Sequence, residues 1–259
     1  MAQAARDRAT RIAVIGGSGL YQLDHSAPAG TFPIQTPYAA EAVELSLEQT
    51  AAGAAWFLPR HGRDHSVAPH RINYRANLWA LHQAGVDIVI AVNAVGGIAD
   101  SMIPGALVLP EQLIDYTWGR EHTFATGAHA LDKHVDFTWP YDRDLARTFD
   151  AAAAMLDLPV HRGAVYGCTQ GPRLETAAEI RRMQRDGCDI VGMTGMPEAG
   201  LARELGMRYA CIALVVNRAA GLGGGAITHD DVAKHLREGM GRVRALLMAA
   251  LPQLIGGSD

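Results

Sequence analysis

The chain predicts a single α/β domain with a mixed or parallel β-sheet flanked by helices. Three observations support this reading. Apolar runs of strand length alternate with segments of helical periodicity, the pattern of a sheet covered by helices. At 259 residues, with 49% hydrophobic and 19% charged side chains, the chain is large enough for a sizeable core. Neither an internal repeat nor an interdomain linker interrupts the pattern, so one domain over residues 11–255 is favoured over two small ones, after an expected disordered leader at 1–10.

The elements follow in order. Arg11 to Ile15 reads as a buried first strand stopped by Gly16 and Gly17. Glu41 to Leu47 and Ala54 to Leu58 follow as a strand pair. From His70 to Ala84, Ile72, Ala76, Trp79 and Ala80 recur at helical spacing, and Gly85 supplies the stop. Asp87 to Val92 is a further strand, with Asn93 to Gly97 expected to leave it as a loop. Helices are expected over Asp142–Leu156, Glu175–Arg185 and Pro197–Leu205, and strands over Ala164–Cys168, Asp189–Met193 and Tyr209–Val216. Val232, Leu236, Met240, Val243 and Leu247 form one stripe of a C-terminal helix. The glycine-rich stretch Gly221 to Gly225 suits a loop beside a site.

Composition narrows the function. A net charge of −4 argues against nucleic acid or an anionic membrane as partner. No apolar run approaches the roughly 18 to 20 residues of a membrane span, and the arginine-bearing start has no apolar signal region. Cys168, Cys188 and Cys211 are odd in number and lack CxxC spacing, as in a reduced cytoplasm. Cys168 has no identifiable histidine partner and suits a small buried hydrophobe.

Three segments after expected strands suit an anion. Gly16-Gly17-Ser18-Gly19 permits close backbone approach and adds one hydroxyl, although a tight strand exit explains the glycines equally well. It matches neither the dinucleotide fingerprint, where Gln22 replaces a glycine, nor a nucleophile elbow, where Leu20 does. Pro59-Arg60-His61-Gly62 sets a guanidinium beside an imidazole, a pair suited to phosphate or to a surface ion pair. His61 and His65 have i, i+4 spacing, but no acidic neighbour completes a zinc motif. Asn93 to Gly97 offers further backbone N–H groups. Such segments converge at the carboxyl edge of an open sheet.

Two more segments carry polar groups of defined direction. Gly192 to Glu198 ends a strand and opens a helix; Thr194 can reach phosphate or sugar and Met193 can face a ribose, while a helix cap with a core methionine is the plain alternative. Glu175, in Gly171-Pro172-Arg173-Leu174-Glu175-Thr176, only accepts hydrogen bonds, whereas Asn217, in Val215-Val216-Asn217, both donates and accepts. Together they suit a 6-oxopurine, with a donor at N1 and acceptors at O6 and N7. An adenine presents the opposite pattern at positions 1 and 6.

These motifs, with Asn73-Tyr74-Arg75-Ala76-Asn77, resemble in matching order the trimeric purine nucleoside phosphorylase and methylthioadenosine phosphorylase family. The resemblance runs from about Arg11 to Met248. Asn93 to Ile98, Ile114-Asp115-Tyr116-Thr117 and Met193 to Leu205 bring the chain closest to the branch that cleaves S-methyl-5′-thioinosine. The resemblance implies a twisted, partly barrel-like mixed sheet and a homotrimer, or a hexamer of two paired trimers. It also implies phosphorolysis with inorganic phosphate as co-substrate and without metal or organic cofactor. Ser18, Arg60, His61, Asn93, the Ala94 backbone and Thr194 would hold phosphate. Met193 would line the ribose, and Leu174, Glu175 and Asn217 would take the base. His61, Glu175 and Asn217 are the implied catalytic residues. His134 would reach from a neighbouring subunit into the 5′ pocket.

In such a reaction the sugar becomes oxocarbenium-like as negative charge moves onto the purine, and a desolvated phosphate acts as nucleophile. Asn217 is expected to bond N7 and O6 of the departing base. Adenosine-type relatives instead carry aspartates at the Asn217 position and near Ala219. The 5′ end reads two ways. His229, in Thr228-His229-Asp230-Asp231-Val232, matches a histidine that bonds a 5′-hydroxyl in inosine and guanosine phosphorylases, whereas whole-chain similarity favours the methylthio substrate over inosine, guanosine or methylthioadenosine. Thr228 or His229 also suits the start of the last helix. A nucleotide-binding regulatory module is the non-enzymatic alternative, and a serine or zinc hydrolase a weaker one.

Overall fold

The computed structural model describes residues 10–23, 28–51, 53–125 and 134–256, so the expected leader lies almost wholly outside the described residues. Nine strands form one sheet: β1 Ile12–Gly16, β2 Gly30–Ile34, β3 Val43–Thr50, β4 Gly53–Pro59, β5 Ile88–Gly97, β6 Leu107–Asp115, β7 Val160–Cys168, β8 Ile190–Gly192 and β9 Arg208–Arg218. Their order is β2-β3-β4-β1-β5-β8-β7-β6-β9, and β9 also pairs with β5. The strands β5, β8, β7, β6 and β9 therefore close a five-stranded ring, from which the other four extend as an open arm. The sheet is mixed: β1 lies parallel to β4 and β5, and β5 parallel to β9, whereas β2, β3 and β4 run antiparallel.

β1 shows why its sequence is a continuous apolar run. Ala13 and Ile15 pack into one core with Leu78 and Leu81, while Ile12 and Val14 pack into another with Val243 and Leu247. A strand covered on both faces has no solvent side to mark with polar residues. The covering helices are α1 Tyr74–Gln83, α2 Arg143–Met155, α3 Ala177–Arg185, α4 Glu198–Glu204 and α5 His229–Gly256. Asn73 starts α1 by accepting the Ala76 N–H at 3.0 Å, so the residues from His70 form a 3₁₀ turn and an entry rather than helix. Thr176 and Glu179 make a reciprocal capping box that begins α3 two residues later than Glu175. Glu175 is thereby left in the loop.

Three differences from the sequence reading have physical causes. Asn93 to Gly97 is not a loop but the end of β5. It keeps pairing with β9 across a register shift at Val95/Gly96, and Gly96 and Gly97 also pair with β8. A Cβ on Gly97 would stand 1.8 Å from the Met102 carbonyl oxygen, so this glycine permits close packing rather than a turn. β6 escaped notice because Pro110 interrupts its apolar pattern, and its pairing with β7 shifts register at that residue. β2 is an exposed edge carrying Pro33.

Candidate active site

Four parallel neighbours, β4, β1, β5 and β9, end at the same edge of the sheet. Gly16 pairs with Pro59, so Gly17-Ser18 and Arg60-His61 leave the sheet side by side. Gly96 pairs with Asn217 across the next strands. A cavity of about 390 Å³ opens over these ends. Ser18, Arg60, His61, Asn93, Ala94 and Thr194 line one part of it. Leu174, Glu175, Met193, Asn217 and His229 line the rest. Glu175 and Asn217, far apart in the chain, thus face one space. His134 is exposed and is not part of this cavity in its own chain.

At the Glu175–Asn217 end of the cavity the polar groups are held by their neighbours. The Thr169 hydroxyl donates to Glu175 Oε1 at 2.6 Å and leaves Glu175 a second oxygen for another donor. Asn217 Nδ2 donates to the Arg218 carbonyl at 2.8 Å. One amide proton is therefore committed within the chain. Asn217 keeps a single N–H and its carbonyl oxygen for other partners.

The opposite end is built around a buried cation. Arg60 donates from Nε and Nη2 to both oxygens of Glu198, at 2.7 and 2.8 Å, and from Nη1 to the Val92 carbonyl at 3.0 Å. Tyr209 Oη adds a third hydrogen bond to Glu198 at 2.8 Å. Burial works against the charge on Arg60, yet the adjacent Glu198 carboxylate outweighs it and holds the guanidinium pKa above its ordinary value. A Cβ on Gly17 would stand 2.4 Å from the Val92 oxygen and 2.9 Å from Arg60 Nη1, so only glycine fits beside this fork.

His61 takes a definite tautomer. Its Nδ1 lies 2.8 Å from the Val67 carbonyl, which can only accept, so Nδ1 carries the proton. Burial first, and then the charge of Arg60, lower its pKa to about 4. The ring is neutral near pH 7 and its Nε2 is an acceptor. Ser18 Oγ lies 2.9 Å from His65 Nε2, and His65 adopts φ +55° to make this contact. Asn93 Nδ2 is 3.4 Å from the Tyr166 hydroxyl inside the ring of strands.

Sequence reasoning missed one residue that organises the site. Arg120 donates from Nη1 to the Met193 carbonyl at 2.9 Å and also to that of Met196. From Nη2 it donates to the carbonyls of Thr169 and Gln170, at 3.2 and 2.8 Å, and its Nε reaches the Gln170 side chain at 3.1 Å. It ties the loop before Glu175 to the turn bearing Met193 and Thr194. No motif surrounds Arg120, because its contacts are backbone carbonyls remote in sequence. Glu198, which in sequence only marks the opening of a helix, holds Arg60 from behind the wall. Among the described residues, no three His, Cys, Asp or Glu side chains are grouped to hold a metal ion, and no helix is long and apolar enough to cross a membrane.

The family model described as the phosphorylase superfamily matches residues 11–252. The chain belongs to that superfamily. It is 50% identical over 242 residues to a probable S-methyl-5′-thioinosine phosphorylase of Pseudomonas syringae pv. tomato, covering 93% of this chain and 98% of the relative. It is 43% identical over 247 residues to a 6-oxopurine nucleoside phosphorylase of Pyrococcus furiosus, covering 93% and 92%. Among solved structures, a methylthioadenosine phosphorylase from Schistosoma mansoni in complex with adenine superposes with a TM-score of 0.89 at 30% identity, over 96% of this chain and 93% of that one.

Proposed function

We propose that this protein catalyses phosphorolysis of a 6-oxopurine nucleoside, S-methyl-5′-thioinosine being the substrate. The products are hypoxanthine and S-methyl-5-thioribose 1-phosphate. The observation that carries the reading is the meeting of Glu175 and Asn217 in a cavity whose other end holds Gly17, Arg60 and His61. The 50% identity to a probable methylthioinosine phosphorylase supports the choice of nucleoside.

In this mechanism one phosphate oxygen attacks C1′ while the C1′–N9 bond breaks, its electron pair passing to the purine. Phosphate is held by the Gly17-Ser18 turn, Arg60, the Ala94 backbone and Thr194. His61 Nε2 accepts a hydrogen bond from the phosphate's P–OH, a role open to the neutral ring. Met193 lies against the ribose. Glu175 accepts N1–H of the base, and the free N–H of Asn217 stabilises charge arriving on the imidazole ring of the purine. Leu174 covers the base. The enzyme acts without metal or organic cofactor, in the cytoplasm, as a homotrimer in which His134 of one subunit completes a neighbour's 5′ pocket.

One observation favours a second nucleoside: His229 lines the cavity and offers a polar partner for a 5′-hydroxyl, as inosine or guanosine would need. The apolar Ile227 and Val232 beside it suit a methylthio group. The experiment is side-by-side phosphorolysis of methylthioinosine, inosine, guanosine and methylthioadenosine at one phosphate concentration. The highest kcat/KM is expected for methylthioinosine. Base release without phosphate would overturn the reaction class, and a preference for methylthioadenosine would overturn the base assignment.

A further inference from the structure

The phosphate end of the cavity has a charge balance that its wall conceals. Among the described residues, Arg60 is the one there with a permanent charge, but its fork is spent on a carboxylate outside the wall. The Arg60 side chain is 0% exposed and that of Glu198 1%, with Nε–Oε2 at 2.7 Å and Nη2–Oε1 at 2.8 Å. Glu198 does not line the cavity. The tautomer and depressed pKa of His61 leave that ring uncharged near pH 7. The formal charges of Arg60, Glu198 and His61 therefore cancel.

We propose that Glu198 is a positioning residue that neutralises Arg60 and fixes its fork, so that the anion is held by oriented N–H and O–H donors rather than by net charge. The inference rests on the phosphorolysis reading for its catalytic consequence. A phosphate whose charge is not quenched by its own site keeps that charge for the sugar cation that develops above it. A net positive cradle would tighten phosphate in the ground state and oppose the same cation in the transition state, which lowers turnover. The pair is an ion pair with both partners inside, so the arrangement costs desolvation that a purely structural contact would not require.

The test is Glu198→Gln, which keeps the side chain's size, removes the charge and leaves one carbonyl oxygen to accept from Arg60. Phosphate binding is read by calorimetry and turnover at saturating phosphate. Phosphate Kd is expected to fall about threefold or more and kcat to fall about tenfold, opposite directions that simple loss of structure does not produce. Weaker or unchanged phosphate binding in the folded variant overturns the inference. Tyr209→Phe removes one hydrogen bond from Glu198 but no charge, and its phosphate Kd is expected to stay within about twofold. A change in that variant as large as in Glu198→Gln assigns the effect to packing and overturns the inference. Should Glu198→Gln not fold, the unmodified protein decides the question. Its phosphate Kd is expected to change less than about threefold between about 0.05 and 0.5 M salt, and a steep loss overturns the inference. An absence of phosphate binding in the unmodified protein does so too. Failure of the phosphorolysis reading is separate: it shows as no phosphate-dependent base release while phosphate still binds.

Discussion

Lowering the pH from 7 towards 4 perturbs one buried group whose contribution can be calculated. His61 has an ordinary pKa of 6.5 and a folded value of about 4, set by burial first and the charge of Arg60 second, against a hydrogen bond to Val67 that favours the cation. Between those values the unfolded chain takes up a proton that the folded chain refuses. Unfolding is therefore favoured as pH falls: the contribution is fully present above about 6.5 and is lost as pH drops towards about 4. At about 1.4 kcal/mol per unit, the depression corresponds to about 3 kcal/mol, a large share of an ordinary domain's stability. The assay is urea unfolding across this range for the unmodified protein and for His61→Asn. The variant has no titrating group at this position, and any change in the Val67 hydrogen bond is a constant offset, so its profile should be flatter by about 2 kcal/mol between about pH 7 and 4.5. Parallel profiles would refute the claim that His61 is neutral in the folded protein.

Three further outcomes are expected. Asn217→Asp should shift preference from 6-oxo- towards 6-aminopurine nucleosides by about tenfold or more, read as the ratio of kcat/KM values; an unchanged ratio removes Asn217 from base selection. Gly17→Ala should raise the phosphate KM by about tenfold and cost about 1–3 kcal/mol of stability, because the new methyl meets the Val92 backbone and the Arg60 fork; steady-state kinetics and thermal unfolding check both. Arg120→Lys should lower kcat/KM by about 10²-fold while the protein stays folded, since an ammonium cannot span carbonyls on two loops; activity within a few-fold of the parent would show that Met193 and Glu175 hold their places unaided.

Much of the fold could be read along the chain wherever one periodicity ruled. β1, the β3–β4 pair and α2 matched their expected spans to within a few residues, and the stripe from Val232 to Leu247 lies within α5, because a core-facing strand or helix must repeat its apolar pattern. Where packing rather than pattern dominated, the reading failed. Gly96 and Gly97 look like a turn but complete β5, and Pro110 hides β6.

The sequence alone determined the types of group available: a carboxylate at 175, a carboxamide at 217, and a guanidinium and imidazole at 60 and 61. Side-chain chemistry is local, and so is the glycine that lets a backbone come close. Tertiary structure alone decided what each group is free to do. It hid Glu198 behind Arg60 and recruited Arg120 to carbonyls of two separate loops. Those outcomes depend on which strands become neighbours, and parallel pairing between segments distant in sequence leaves no local mark on either of them.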